Sequence, residues 1–126
     1  MEMIIGGAYQ GKTAYAKEQF PDIKWKCGRE ITEEELLKAE GVLGFHEYIR
    51  KSLEAGDDLT GLAEKLASQD PDVVLVSEEV GYGIVPADAF ERQYREAVGR
   101  VCTALAAKSS KVTRVVCGIG TVLKND

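Results

Sequence analysis

The sequence predicts an α/β fold in which a mostly parallel sheet carries helices on both faces. Apolar, β-branched stretches alternate along the chain with segments of helical periodicity, which is the order typical of parallel sheets. Residues 72–77 (DVVLVS) are apolar without alternation, as expected of a central strand that is covered on both faces. Residues 1–126 are expected to form a single domain, because a chain of this length commonly builds one core.

The N-terminal elements are predicted from short local signals. Residues 3–5 form an apolar strand, and residues 12–20 form a helix that Pro21 ends. Residues 23–27 alternate between apolar and charged, which predicts a second strand with one buried face. Thr32 and Glu35 have the capping-box spacing, so a helix begins there.

The rest of the chain continues the alternation. Residues 41–44 are either a short strand or a weak point in one long helix, and the sequence leaves both open. Helices are then predicted over residues 45–56, 59–67 and 89–107, the last of them capped by Asp88. The valine-rich residues 111–117 are the last clear strand.

Composition excludes several classes of protein. The net charge of -5 would repel a phosphate backbone, so nucleic acid is not an expected partner. The three cysteines are far apart and contain no CxxC, which predicts neither a disulfide framework nor a zinc site. No apolar run is long enough to span a membrane, and a cytoplasmic protein is expected.

One motif predicts chemistry directly. Residues 6–13, in order Gly6, Gly7, Ala8, Tyr9, Gln10, Gly11, Lys12 and Thr13, match G-x-x-x-x-G-K-[ST] between a predicted strand and a predicted helix. Glycines let the backbone wrap closely around phosphates, and the N–H groups of the helix N-terminus point at the anion. Lys12 is expected on the β- and γ-phosphates and the Thr13 hydroxyl on Mg²⁺, so the motif predicts a phosphate-binding loop.

Such a loop also needs a carboxylate near the metal, at the carboxyl end of a neighbouring strand. Glu78 and Glu79 follow the predicted central strand. Glu79 is the first choice as metal ligand or as a base acting through water, and Glu78 is the second.

Three motifs in the second half resemble one enzyme family. They are residues 74–86 (VLVSEEVGYGIVP), 94–100 (YREAVGR) and 115–120 (VVCGIG). In order and spacing they are similar to motifs of the bifunctional adenosylcobinamide kinase and adenosylcobinamide-phosphate guanylyltransferase family. The resemblance implies a RecA-like P-loop NTPase fold, a homo-oligomer, GTP or ATP as substrate with Mg²⁺, and a corrinoid as the second substrate. It places Gly81, Gly83, Arg95 and Arg100 at substrate or phosphate contacts.

The same resemblance leaves the role of His46 open. The family transfers GMP through a histidine in an HxxxRP setting, and His46 with Arg50 matches part of it, although Lys51 replaces the proline. This reading makes His46 catalytic, together with Lys12 and Glu79. A second alignment equates residues 41–48 with a family strand that ends in a metal-binding aspartate. That alignment makes His46 unrelated to the acceptor and leaves the aspartate missing.

Two functions therefore compete. The first is a kinase and guanylyltransferase of cobalamin biosynthesis and corrinoid salvage. The alternative is a nucleotide-binding subunit or sensor of the same family without guanylyltransferase activity. Glu78 in place of the family's Asn, and Cys102 with Thr103 in place of Asn-Gln, favour the alternative.

Overall fold

The computed structural model describes residues 1–80 and 88–126, and in them six strands form one sheet. The strands are β1 (Glu2–Gly6), β2 (Trp25–Cys27), β3 (Gly41–Leu43), β4 (Val74–Glu78), β5 (Lys111–Val116) and β6 (Ile119–Asn125). Their order across the sheet is β2-β3-β4-β1-β5-β6. The first five strands pair in parallel, and β6 pairs antiparallel with β5.

Helices cover both faces of this sheet. They are α1 (Lys12–Gln19), α2 (Glu33–Leu36), α3 (Phe45–Glu54), α4 (Leu62–Gln69) and α5 (Ala89–Lys108). On one face, Ala16 of α1 is buried with Ile4 and Val76. On the other face, side chains of the remaining four helices form a larger buried cluster around strand residues such as Leu75. The predicted α/β class, with a mostly parallel sheet between two helical layers, is confirmed.

Local signals account for most of the element boundaries. The capping box is present, with the Thr32 hydroxyl accepting from the Glu35 amide and the Glu35 carboxylate accepting from the Thr32 amide. Residues 41–43, which the sequence left undecided, form a strand. Helix α4 starts three residues later than predicted, because Asp58 accepts a hydrogen bond from the Thr60 amide and holds a turn there.

The strand predicted at residues 111–117 is confirmed as β5, whereas β6, which follows it, was not predicted. Val116 pairs with Ile119, so only Cys117 and Gly118 form the turn between β5 and β6. Both have positive φ, 52° and 75°, as a two-residue hairpin turn requires. The apolar side chains of β6 are largely exposed. The sequence of β6 therefore lacks the apolar pattern that predicts a buried strand.

The parallel arrangement brings three chain segments to one edge of the sheet. The carboxyl ends of β1, β3 and β4 meet there, because neighbouring parallel strands run in the same direction. In the register, Gly6 lies beside Glu78. Within residues 1–80 and 88–126, no helix combines the length and apolar character needed to cross a bilayer.

Candidate nucleotide-binding site

The motif of residues 6–13 forms the connection between β1 and α1. A Cβ atom on Gly6 would lie 2.6 Å from the carbonyl oxygen of Val115, so glycine lets β1 end directly against β5. Gly11 has a left-handed φ of 85° and is the N-cap of α1. Lys12 and Thr13 therefore occupy the first turn of α1, where backbone N–H groups lack intrahelical acceptors. This is the geometry that favours an anion.

The loop is tied to the β5–β6 hairpin through Gln10. Its carbonyl oxygen accepts from the Gly118 amide at 2.8 Å, and its side-chain Oε1 accepts from the Cys117 amide at 2.8 Å. Neighbouring Tyr9 has a φ of 60° and a fully exposed ring. The hairpin thus holds the middle of the loop while the Tyr9 ring stays in solvent. This contact could not be predicted from the sequence, because it is made by the turn that leads into the unpredicted β6.

Lys12 is the cation of the site. Its Nζ donates to the Gly7 carbonyl at 3.2 Å and lies 3.8 Å from Oε1 of Glu78. Only 12% of the side chain is exposed. The amine therefore lies over the loop, between its backbone and the end of β4.

The two carboxylates at the carboxyl end of β4 have different neighbours. Glu79 forms an ion pair with Arg114 at 3.1 Å, and its amide donates to the Gly6 carbonyl at 2.7 Å. The Glu78 carboxylate, in contrast, faces Lys12. The metal-ligand role of Glu79 stays a prediction, and the geometry favours the second choice, Glu78, as the carboxylate nearest the loop lysine.

His46 lies in the first turn of α3, directly after β3. Its Nδ1 accepts a hydrogen bond from the Glu78 amide at 3.0 Å. Its Nε2 lies 3.6 Å from Oε1 of Glu47 and 3.8 Å from Oε2 of Glu78. Burial lowers the pKa of His46 below its ordinary value of 6.5, although Glu78 and Glu47 oppose the shift. Burial therefore favours the neutral form of the imidazole.

The substrate or phosphate contacts predicted for Arg95 and Arg100 stay predictions, and both residues lie on α5. Arg100 pairs with Glu96 at 3.1 Å on an exposed face of α5. It lies eleven residues after the start of that helix, which is roughly 16 Å along the axis. Arg95 is half-buried on the same helix. Gly81 and Gly83 lie outside the described residues.

Arg50, the arginine of the HxxxR pattern, packs between two helices. Its guanidinium contacts the Glu91 carboxylate and lies over the rings of Phe90 and Tyr94, 5.3 and 4.9 Å from their centroids. Arg50 therefore joins α3 to α5. The acceptor role of His46 stays a prediction.

The donor set at this edge of the sheet fits magnesium. No cluster of three or more His, Cys, Asp or Glu that could hold a metal occurs in the described part of the chain. A P-loop magnesium does not need such a cluster, because phosphate oxygens and waters complete its octahedral shell. The exposed Thr13 hydroxyl and the Glu78 carboxylate are oxygen donors of the kind that it prefers.

Comparison with known proteins identifies relatives for most of the chain. Residues 30–123 match the family described as cobinamide kinase / cobinamide phosphate guanyltransferase. Over 52 residues the chain is 50% identical to the bifunctional adenosylcobalamin biosynthesis protein CobU of Escherichia coli (strain K12). The identity to the CobU protein of Salmonella typhimurium (strain LT2) is the same.

These matches differ in how much they cover. The 52-residue segment is 41% of this chain but 29% of each relative, less than a third of their length. The family match begins at residue 30, downstream of the motif of residues 6–13, so this motif is an observation independent of the match. The family match nevertheless covers 94 of the 126 residues, and it agrees with the P-loop NTPase-like fold described above. The chain belongs to the cobinamide kinase / cobinamide phosphate guanyltransferase family.

Proposed function

We propose that this chain binds a nucleoside triphosphate with Mg²⁺ and is a transferase of cobalamin biosynthesis that phosphorylates a cobinamide. The observation that carries the proposal is the position of Lys12. Its amine lies over the backbone of residues 6–13, at the edge of the sheet where β4 ends with Glu78. A loop of this kind takes phosphates, and the family description supplies cobinamide as the acceptor.

Each residue of the loop has a chemical role in this proposal. The N–H groups of residues 6–13 hold the phosphates, and Lys12 neutralises charge on the β- and γ-phosphates. The hydroxyl of Thr13 and the carboxylate of Glu78 would hold Mg²⁺, with Glu79 as the other candidate. The metal, when bound, supplies charge neutralisation on the transferred phosphoryl group. Catalysis then rests on positioning and on electrostatic stabilisation.

The second candidate is a nucleotide-binding subunit or sensor that lacks the guanylyltransferase activity. Two observations favour it over the bifunctional enzyme. Residues 41–48 contain no aspartate, although the family strand aligned with them ends in one. The chain has one histidine, so a histidine-linked GMP could form only on His46, whose Nδ1 already accepts the Glu78 amide.

The first test is nucleotide binding by titration calorimetry with GTP and with ATP, in the presence of Mg²⁺. Lys12→Ala is expected to weaken binding by about ten- to a hundredfold, because it removes a charged hydrogen-bond donor from the phosphates. Lys17→Ala is the matched control, since it removes the same charge from an exposed position of the same helix. Equal affinity in Lys12→Ala and wild type would refute the proposed site.

Two product assays then separate the candidate functions. Incubation with cobinamide, ATP and Mg²⁺ tests for cobinamide phosphate by mass spectrometry. Incubation with GTP and Mg²⁺, followed by intact-protein mass spectrometry, tests for an acid-labile GMP adduct that is absent in His46→Ala. Phosphate transfer without an adduct supports a kinase, whereas binding without either product supports the sensor. A cytoplasmic homo-oligomer with no nucleic-acid or membrane partner remains a prediction of the sequence.

A further inference from the structure

The peptide N–H of Glu78 lacks a strand carbonyl to which it can donate. The Val74 amide donates to the Glu40 carbonyl, on the β3 side of β4, and the Glu79 amide donates to Gly6, on the β1 side. Amides of alternate residues in a strand point to the same neighbour, so the Glu78 amide points towards β3. But β3 pairs with β4 only as far as Val42 and Leu75, and it ends at Leu43.

His46 supplies the missing acceptor. The chain leaves β3, turns at Gly44 with a φ of 65°, and enters α3 with His46 as its second residue. The imidazole Nδ1 then accepts the Glu78 amide at 3.0 Å, where another strand carbonyl would otherwise be required. The side chain is 12% exposed, so water cannot readily replace it. The ring therefore extends the β3–β4 ladder by one hydrogen bond.

This contact also fixes the tautomer of the ring. A neutral imidazole has one nitrogen with a proton and one with a lone pair. Since Nδ1 accepts from Glu78, the proton is on Nε2, which lies 3.6 Å from the Glu47 carboxylate and 3.8 Å from that of Glu78. Neither nitrogen presents a free lone pair, which a nucleophile needs in order to attack phosphorus.

We propose that His46 is a positioning residue, which fixes the end of β4 so that the Glu78 carboxylate faces Lys12, and that it is not the nitrogen that accepts GMP. The inference rests on the proposed function only in assigning phosphate binding to Lys12. The Glu78 carboxylate lies between Lys12 and His46: its Oε1 is 3.8 Å from Lys12 Nζ, and its Oε2 is 3.8 Å from His46 Nε2. Loss of the imidazole is therefore expected to release the carboxylate from Lys12.

The tautomer can be measured directly, because the chain has a single histidine. Long-range ¹H–¹⁵N correlation spectra of the ¹⁵N-labelled protein at neutral pH are expected to show an unprotonated Nδ1 and a protonated Nε2. A protonated Nδ1 would overturn the inference. This readout needs no nucleotide, so it remains decisive even if Lys12→Ala shows that the loop binds none.

Three substitutions of His46 test the positioning role. The side-chain oxygen of His46→Asn can take the place of Nδ1, whereas that of His46→Gln is closer to the place of Nε2. We expect GTP affinity to fall roughly three- to tenfold in His46→Ala and His46→Gln, and to recover in His46→Asn, because the lost contact is one buried hydrogen bond. A merely space-filling role predicts the opposite ranking, with the larger glutamine tolerated better.

The GMP-adduct assay tests the competing possibility that His46 accepts GMP. If His46 accepts GMP, the wild type forms an adduct and His46→Asn forms none, however well it binds GTP. That result would overturn the inference. An adduct-free wild type with restored binding in His46→Asn would support it.

Discussion

The two adjacent glycines that open the phosphate loop are expected to respond very differently to alanine. A Cβ atom on Gly6 would lie 2.6 Å from the Val115 carbonyl oxygen, a separation at which the two strands must move apart. On Gly7 the nearest neighbour is the Gln10 Cγ at 3.7 Å, an ordinary contact. Gly6→Ala should therefore destabilise the protein, and Gly7→Ala is its matched control.

The size of the effect follows from the cost of overpacking. Forcing a methyl group into a well-packed site costs about 1–3 kcal/mol. Unfolding entropy is roughly 2.1 cal/mol/K per residue, or about 260 cal/mol/K for a chain of 126 residues. Gly6→Ala should then lower the melting temperature by roughly 4–11 °C. Gly7→Ala should change it by less than about 2 °C, since uncrowded sites stay within about 0.5 kcal/mol.

Thermal unfolding followed by circular dichroism at a fixed protein concentration measures both variants without nucleotide. If Gly6→Ala melts within about 2 °C of the wild type, where Gly7→Ala is expected, β1 can move away from β5 at no cost. The close approach of the two strands would then not explain why glycine stands at the start of the loop.

Three further outcomes are expected. Gln10→Ala should weaken GTP binding about two- to tenfold in titration calorimetry, because it frees the loop from the Cys117 amide; unchanged affinity would contradict this. Thiol reagents should modify exposed Cys117 before Cys102, because burial raises the pKa of the Cys102 thiol; equal rates by peptide mass spectrometry would refute it. Thr32→Ala should lower the melting temperature by about 4 °C. Part of that difference should vanish in acid. The backbone and side-chain hydrogen bonds from Thr32 lower the pKa of Glu35, and the side-chain bond, which the substitution removes, loses its contribution as pH falls through that pKa.

The partner of the His46 side chain could not be predicted from the sequence. In the sequence it could be matched to a family acceptor or regarded as an ordinary helix residue, and spacing to Arg50 was the only guide. The structure shows Arg50 engaged with Glu91 and His46 engaged with the Glu78 amide. The two side chains thus point to different partners, which residue spacing along a helix cannot reveal.

The choice between two adjacent carboxylates has a similar origin. Glu78 is the last residue of β4 and Glu79 follows it, and both were candidates for the metal. Successive residues of a strand point to opposite sides, so one faces Lys12 and the other Arg114. Which of the two carboxylates faces Lys12 depends on the register of β4 against β1, and that register is set by packing of the whole sheet.

The sequence by itself determined the α/β class, the order of most elements, the capping box and the loop of residues 6–13. These depend on hydrophobic period and on residue types at short spacing, which are local properties. Only the tertiary structure decided the strand order, the antiparallel β6, the Gln10 tether and the contact between His46 and Glu78. The strand order, the Gln10 tether and the His46 contact join residues that are distant in the chain, and their hydrogen bonds exist only once the strands have packed side by side. Strand β6 is local in the chain, but its exposed apolar side chains did not mark it as a strand in the sequence.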